Sequence, residues 1–228
     1  MSTFLCIGDV HAPFIYKPAF SKVLSYLDSL KKKPDYVIQI GDLYDFYSFS
    51  RFAKNPNVIT PDQEVLEGRA VAEEMWRLIK KKAPSAQCYQ LLGNHSVRPN
   101  KKLMEVAPEL LSIFNIKPLW TFPGVITIHD PREELVIDNI LFQHGHRSKL
   151  GDHAKYNSMN TVVGHSHQGN VLFIPTIKKE IIWELNCGYI ADPSHPALKY
   201  TPQKFNKWSH GIGTIDSRGP RFIPFDYL

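Results

Sequence analysis

The chain has 228 residues, of which 43% are hydrophobic, and a formal net charge of +5. It is long enough for one sizeable core, so we expect a single domain over residues 1–228. No run of about 18 apolar residues occurs, which excludes a membrane span. The first residues have no signal-peptide character, and three widely spaced cysteines favour unpaired thiols in a reducing compartment. We therefore predict a cytoplasmic protein.

The first half of the chain alternates between strand-like and helix-like patterns. We expect strands at about residues 3–8, 36–40 and 87–92, with helices at about residues 18–30 and 62–82 between them. Strands joined by helical crossovers pair in parallel, so this half predicts a parallel sheet.

The second half contains short β-like runs around residues 121–142, separated by turn-forming pairs such as Pro123-Gly124 and Asp138-Asn139. Three or four more strands follow from Thr161 onward, with few helices. This change of character indicates a second sheet packed on the first. The fold class we predict is α/β, a two-sheet β-sandwich flanked by helices.

Five short polar clusters fall at the ends of predicted strands. Half of the ten histidines lie at key positions of these clusters. In open α/β sheets, ligands collect outside the carboxyl ends of strands, so we expect the clusters to meet there. The clusters are Asp9-Val10-His11, Gly41-Asp42-Leu43-Tyr44-Asp45, Gly93-Asn94-His95, His144-Gly145-His146 and Gly164-His165-Ser166-His167.

Carboxylate, amide and imidazole groups without a thiolate suit Mn²⁺, Fe, Ni²⁺ or Zn²⁺ in five- or six-fold geometry. The number of candidate ligands is sufficient for two divalent ions that share one carboxylate. Such a pair can hold a bridging hydroxide and both oxygens of an in-line displacement at phosphorus. The candidate ligands are Asp9, His11, Asp42, Asn94, His144, His165 and His167.

In order and spacing, these clusters resemble the signature of the calcineurin-like metallophosphoesterases. That signature reads Asp-x-His, Gly-Asp-x-x-Asp, Gly-Asn-His followed by an acidic residue, a histidine near a glycine, and Gly-His-x-His. The resemblance extends from about residue 3 to residue 190 and implies the metallophosphoesterase fold and two-metal hydrolysis of phosphate esters. Mn²⁺ is the metal pair we favour.

The resemblance also implies a division of the ligands between the two ions. One ion would be held by Asp9, His11 and His167, the other by Asn94, His144 and His165, and Asp42 would bridge them.

Two further residues take catalytic roles by the same resemblance. His95 would bind the phosphate and protonate or stabilise the leaving oxygen, and Asp45 would orient His95 and keep it charged. The sequence departs from the signature at Ser96, where an acidic residue is common. Because that position is not a direct ligand in the family, we do not expect a loss of activity.

The predicted substrate contacts are Asn94, His95, Arg98, Tyr44 and His146. Arg98 could bind terminal phosphate oxygens bidentately, although a surface salt bridge is an equal alternative. His146 could face the phosphate or simply lie at the surface. The aromatic residues 44–52 could stack a nucleobase, but packing of their rings into the core is slightly favoured.

Three hypotheses about function remain open at this point. The leading one is a phosphomonoesterase for nucleotides or similar small phosphate esters, because no appended domain is present to grip a polymer. A phosphodiesterase or nuclease acting on DNA or RNA is the alternative, and the positive net charge supports it mildly. A non-catalytic scaffold would typically have lost ligands, and none is missing here. The sequence leaves the oligomeric state open.

Overall fold

The computed structural model describes residues 2–52, 55, 57–114, 116–130, 133–199 and 207–227. Within these residues, two mixed sheets pack face to face and helices flank them. This confirms the predicted sandwich. The strands are β1 (Phe4–Ile7), β2 (Tyr36–Gln39), β3 (Gln87–Leu91), β4 (Val125–Ile128), β5 (Leu135–Ile137), β6 (Ile140–Phe142), β7 (Asn160–Val163), β8 (Gly169–Pro175), β9 (Ile181–Cys187), β10 (Gly211–Asp216) and β11 (Gly219–Pro224).

The first sheet has the strand order β11-β10-β1-β2-β3-β4. Strands β1 to β4 are parallel, with Phe4 opposite Tyr36 and Tyr36 opposite Gln87. The predicted parallel pairing is therefore correct. Strands β4, β10 and β11 lie in the second half of the chain but join this first sheet, so the division between sheets does not follow the division of the sequence.

The second sheet has the order β5-β6-β7-β9-β8. Strands β6 and β7 are parallel, with Ile140 opposite Asn160, and β7 is parallel to β9. Between the two sheets lies a buried apolar cluster that includes Phe4, Ile38, Phe142 and Leu185. This shared core supports the prediction of one domain, which we retain as a proposal.

Four α-helices complete the described fold: α1 (Lys17–Ser29), α2 (Pro61–Lys82), α3 (Arg98–Val106) and α4 (Asp152–Asn157). Helix α2 begins with a capping box between Thr60 and Gln63 and ends in a run of lysines, which suits the helix dipole. Helices α1 and α2 bury Val23, Leu27 and Trp76 in a second apolar cluster with residues of the first sheet. Helix α3, in contrast, buries none of its described side chains.

No helix in the described ranges has both the length and the apolar character required to cross a bilayer. The three cysteines, Cys6, Cys88 and Cys187, are unpaired and buried.

Candidate metal centre

The predicted ligands lie just beyond the carboxyl ends of five strands, in loops that meet at one edge of the sandwich. Because parallel strands of one sheet end at the same edge, residues far apart in sequence come together there. The preceding strands are β1 for Asp9 and His11, β2 for Asp42, β3 for Asn94, β6 for His144, and β7 for His165 and His167.

One group of ligand atoms comes from Asp9, His11 and His167. The Nε2 atoms of the two histidines are 3.0 Å apart. Asp9 Oδ2 lies 2.9 Å from His167 Nε2 and 3.8 Å from His11 Nε2. This oxygen is buried and has no hydrogen-bond partner among the described residues. Adjacent ligands of one ion held at ~2.1 Å lie ~3 Å apart, so this group fits a divalent cation.

A second group contains Asp42, Asn94, His144 and His165. His144 Nε2 is 3.0 Å from Asp42 Oδ2 and 3.0 Å from Asn94 Oδ1. Asn94 Oδ1 is in turn 2.7 Å from His165 Nδ1. Two imidazoles, a carboxylate and an amide oxygen at these distances suit the same divalent ions.

Asp42 lies between the two groups. Its carboxylate comes within 4.8 Å of ligand atoms of His11 and of those of His144, so it can reach both sites. Two glycines permit the close packing of the acidic side chains. A Cβ atom on Gly93 would lie 2.1 Å from Asp42 Oδ1, and one on Gly164 would lie 2.5 Å from Asp9 Oδ1. Neither position tolerates a side chain.

Hydrogen bonds outside the ligand groups fix the tautomers of two histidines. His11 Nδ1 donates to Asp45 Oδ2 at 2.8 Å, and His144 Nδ1 donates to the carbonyl oxygen of Ile40 at 2.8 Å. Both rings therefore point Nε2 into the centre. Metal-binding histidines generally donate their other N–H to a carboxylate or carbonyl in this way.

The acidic side chains of the two ligand groups create an electrostatic environment that favours a cation. Burial by itself would lower the pKa of His11, but its hydrogen bonds with Asp45 and Asp9 raise that pKa to about 10. Burial opposes a raised pKa for His144 too, and the charges of Asp42 and Asp9 raise it to about 9. The acidic groups thus hold protons on the histidines, and cations would displace these protons on binding.

Four of the predicted ligands have a left-handed backbone, which is uncommon for residues other than glycine. The φ angles are 51° for His11, 48° for Asp42, 65° for His165 and 57° for His167. Such conformations are costly and cluster at functional sites, where the surrounding structure holds them in place.

His95 lies beside the second ligand group. Its backbone N–H donates to Asp42 Oδ1 at 2.8 Å, and its Nδ1 donates to the carbonyl oxygen of Asp45 at 3.0 Å. Its Nε2 is 2.9 Å from Arg98 Nη2, and because arginine can only donate, Nε2 accepts this hydrogen bond. In this arrangement the ring donates from Nδ1 and accepts at Nε2.

Asp45 contacts both histidines, but not as the sequence suggested. Its carboxylate makes the 2.8 Å hydrogen bond with His11, while its Oδ2 is 3.5 Å from His95 Nδ1. The main-chain carbonyl of Asp45, rather than its side chain, is the nearer partner of His95. The carboxylate therefore positions a predicted ligand first and His95 second.

Arg98 is not a surface salt bridge. Its guanidinium donates to Asp45 Oδ1 at 3.2 Å and to the Asp45 carbonyl at 3.0 Å, and its side chain is only 17% exposed. It also lines a pocket of about 310 Å³ above the metal centre, together with Asn94 and His95. Arg98 is thus placed to meet a substrate only by loosening existing contacts.

The predicted substrate contact of Tyr44 is wrong. The ring is 1% exposed, packs edge-on against Trp120, and donates its hydroxyl to the carbonyl of Leu119 at 2.7 Å. Burial raises the pKa of this hydroxyl above its usual range. Phe46 is equally buried, whereas Tyr47 and Phe52 line the pocket. The aromatic segment is therefore divided: some of its rings pack in the core, as was slightly favoured, and others line the cleft.

His146 is exposed and lies in a neighbouring depression with Asn94 and His144, outside the pocket above the metal centre. Its placement favours the surface alternative. Ser96, the departure from the signature, is buried and accepts a hydrogen bond from the Gly93 N–H at 3.0 Å. Its hydroxyl thus closes the turn that presents Asn94.

Sequence reasoning missed two supporting acids and a histidine. Glu184 is 1% exposed and accepts from the N–H groups of Gly151, His153 and Ala154 at 2.7–3.0 Å. His153 Nε2 accepts from the N–H groups after Gly145, which fixes the loop that follows His144. A glutamate inside the apolar strand Ile-Ile-Trp-Glu-Leu was the available signal.

Glu64 is the second supporting acid. It is 1% exposed and accepts from the N–H groups of Tyr47 and Ser48, the latter at 2.8 Å. Burial raises its pKa. Glu64 therefore anchors the part of the aromatic segment that borders the pocket.

Comparison of the sequence with known proteins identifies the family. The sequence model of the calcineurin-like phosphoesterases matches residues 2–209. The Gene 54 protein of Mycobacterium phage L5 is 29% identical, covering 96% of this chain and 90% of its own length. The Gene 54 protein of Mycobacterium phage D29 is 25% identical, with coverages of 96% and 91%. The chain therefore belongs to the calcineurin-like phosphoesterase family, which implies metal-dependent hydrolysis of phosphate esters.

Proposed function

We propose that this protein hydrolyses phosphate esters of nucleotide type with the help of two divalent cations. The proposal rests on the meeting of the seven predicted ligands in two groups, with Asp42 within reach of both. A structural site would need four ligands and would favour cysteine. A non-catalytic scaffold would typically have lost some of these ligands, so the complete set favours an enzyme.

In this proposal Asp9, His11 and His167 hold one ion, while Asn94, His144 and His165 hold the other, with Asp42 serving both. When bound, the cations neutralise phosphate charge and activate a water as nucleophile near neutral pH. Mn²⁺ is our first choice, and Fe, Ni²⁺ and Zn²⁺ accept the same donors.

His95 and Arg98 are assigned to the substrate. Phosphoryl transfer depends on positioning and charge stabilisation, and a guanidinium beside the ions suits the phosphate oxygens. Because Arg98 now donates to His95 Nε2, it must turn towards the phosphate before Nε2 can take up a proton. That nitrogen can then pass its proton to the leaving oxygen.

The proposal places the protein in the cytoplasm, in keeping with its three unpaired cysteines. The nucleotide class is supported by Tyr47 and Phe52, two aromatic side chains that border the pocket.

A substrate panel tests the proposal. Purified protein with Mn²⁺ should hydrolyse p-nitrophenyl phosphate, mononucleotides or bis(p-nitrophenyl) phosphate, and chelation should abolish the activity. Asp42→Asn should lower turnover by roughly 10³-fold, since several kcal/mol of charge stabilisation depend on the ions. Asp28→Asn, which changes an exposed aspartate paired with Lys82, is the control. Absence of hydrolysis with all four metals would leave the scaffold as the better description.

A further inference from the structure

The pocket above the metal centre continues into a second cavity on the protein surface. Both cavities are lined by Ser50, Phe52, Asn94, Arg98 and His165, so they form one trough that passes over the second ligand group. The lining of the trough reaches Lys199 in one cavity and Lys101, Lys102 and Glu105 of helix α3 in the other. A trough that extends past the second ligand group in both directions can accept a chain that continues on both sides of the reacting phosphate.

The end along α3 is positively charged. We call it the cationic arm, formed by Arg51, Arg98, Lys101 and Lys102. Glu105 is the acid in this lining, and its carboxylate lies 3.5 Å from Lys102 Nζ. The sum of these charges favours a polyanion.

An aromatic ring lies within the cationic arm. Phe52 is 56% exposed, and the guanidinium carbon of Arg51 is 5.2 Å from its ring centroid. A large apolar side chain with this exposure beside cations is the arrangement used for stacking unpaired bases, while the cations follow the backbone. Bases inside a duplex are already stacked on one another, so such a ring selects single strands.

Resting on the function proposed above, we propose that the substrate is an internal phosphodiester of single-stranded nucleic acid, with one flank on the cationic arm and a base on Phe52. In the reaction, water oxygen bonds to phosphorus and the bond from phosphorus to one sugar oxygen breaks. The water gives up its proton, and the leaving sugar oxygen takes one. The products are a terminal phosphate and a free hydroxyl.

A diester substrate replaces the phosphomonoester that the sequence analysis favoured for lack of an appended domain. A monoester site needs only one open side, with cations closing the other around terminal oxygens. Here the guanidinium of Arg98 is hydrogen-bonded to Asp45 and His95, and the lining of the trough continues past it to Lys101 and Lys102.

The test compares matched variants on a long and a small substrate with the Mn²⁺-loaded protein. The long substrates are oligothymidylate and oligouridylate of about 12 nucleotides. This length is greater than the stretch of chain that one or two base contacts would cover. The small one is bis(p-nitrophenyl) phosphate, which engages only the metal centre. Phe52→Ala is matched by Phe173→Ala, because Phe173 is 57% exposed on strand β8.

We expect Phe52→Ala to lower kcat/KM for the oligonucleotides by roughly 5–100-fold. This loss should exceed its effect on the small diester at least severalfold, and Phe173→Ala should show no such difference. A double Lys101→Ala, Lys102→Ala variant should weaken oligonucleotide binding and reduce its salt dependence, unlike the matched Lys178→Ala, Lys179→Ala pair. Fluorescence anisotropy with a phosphorothioate oligothymidylate measures this binding separately from catalysis.

The outcomes separate the two proposals. Hydrolysis of the small diester, with Phe52→Ala and Phe173→Ala equal on oligonucleotides, would overturn the nucleic-acid inference and leave the proposed function standing. Faster hydrolysis of mononucleotides than of oligonucleotides by the unmodified protein would overturn it as well. If no ester is hydrolysed, the proposed function fails, and the anisotropy comparison still decides whether the cationic arm binds single strands. A response to only one oligonucleotide would identify DNA or RNA as the substrate.

Discussion

The metal-ligand edge and the cationic arm border the same trough, yet they are built in opposite ways. Asp9, His11 and Asp42 are at most 1% exposed, and each is held by a hydrogen bond with a residue of another loop at the centre. Three of the four residues of the cationic arm lie on α3, a helix without buried side chains, and the fourth, Arg51, lies beside the exposed ring of Phe52. The buried core therefore fixes the groups that react with the phosphate. The exposed side chains that would contact the rest of a substrate can change conformation.

This difference predicts where substitutions act. Changes at the ligand edge should lower turnover or metal affinity, because the strained loops leave few alternative arrangements. Changes at Arg51, Lys101 or Lys102 of the cationic arm should raise the Michaelis constant and leave folding intact. Four variants at His95, Tyr44, Tyr47 and His153 sharpen the comparison.

His95→Asn should lower turnover by roughly 10²–10⁴-fold, the usual effect of losing a general acid, while both metals stay bound. The loss should be smaller for aryl esters than for alkyl esters, since an aryl leaving group needs little protonation. Steady-state kinetics on the two ester classes, with metal content measured in parallel, provide the check. Equal losses on both would assign His95 to phosphate binding alone.

Tyr44→Ala and Tyr47→Ala should have opposite effects, because one ring is in the core and the other borders the pocket. The first should cost roughly 3–5 kcal/mol of unfolding free energy by leaving a cavity. The second should mainly raise the Michaelis constant for nucleotide substrates, by up to the ~1–3 kcal/mol of a base stack. Denaturant unfolding and kinetics on both variants test this. A nucleotide-selective binding loss in a stable Tyr44→Ala protein would reverse the assignment.

His153→Gln should flatten the loss of stability in acid. Burial lowers the pKa of His153 from 6.5 to about 4, so on acidification the unfolded chain takes up this proton first. The stabilisation is present above pH 6.5 and is lost as the pH falls towards about 4. Glutamine keeps an acceptor for the loop N–H groups without titrating.

The effect should be about 1–3 kcal/mol, measured as the change in unfolding free energy across that window. His165 has a similarly lowered pKa, so the variant should retain part of the slope. An unchanged pH dependence would mean that His153 does not contribute through its neutral form.

The sandwich and the meeting of the ligands could be predicted because both depend on the order of strands, helices and polar clusters along the sequence. Each ligand cluster directly follows a strand pattern, and parallel strands bring their ends to one edge. The strained φ angles of His11 and Asp42 could not be predicted, since nothing in the local sequence requires them. They arise from the loops that meet at the centre.

The aromatic segment shows where local pattern fails. Tyr44, Phe46, Tyr47 and Phe52 look alike in sequence, and only tertiary packing against Trp120 selects which rings are buried. The supporting acid Glu184 was missed for a similar reason. Its carboxylate serves backbone N–H groups about 30 residues away in the chain, and no short motif encodes such a contact.

The most direct test of the account is the metal content of the protein and of one variant. After equilibration with Mn²⁺ and removal of excess metal, mass spectrometry under native conditions should show two ions on the unmodified chain. His11→Ala removes a ligand of the first group only, so this variant should keep one ion, held by Asp42, Asn94, His144 and His165. Two ions and one ion, respectively, are the predicted results. A chain that binds no ion, or a single ion that is lost entirely in His11→Ala, would contradict the two-metal centre.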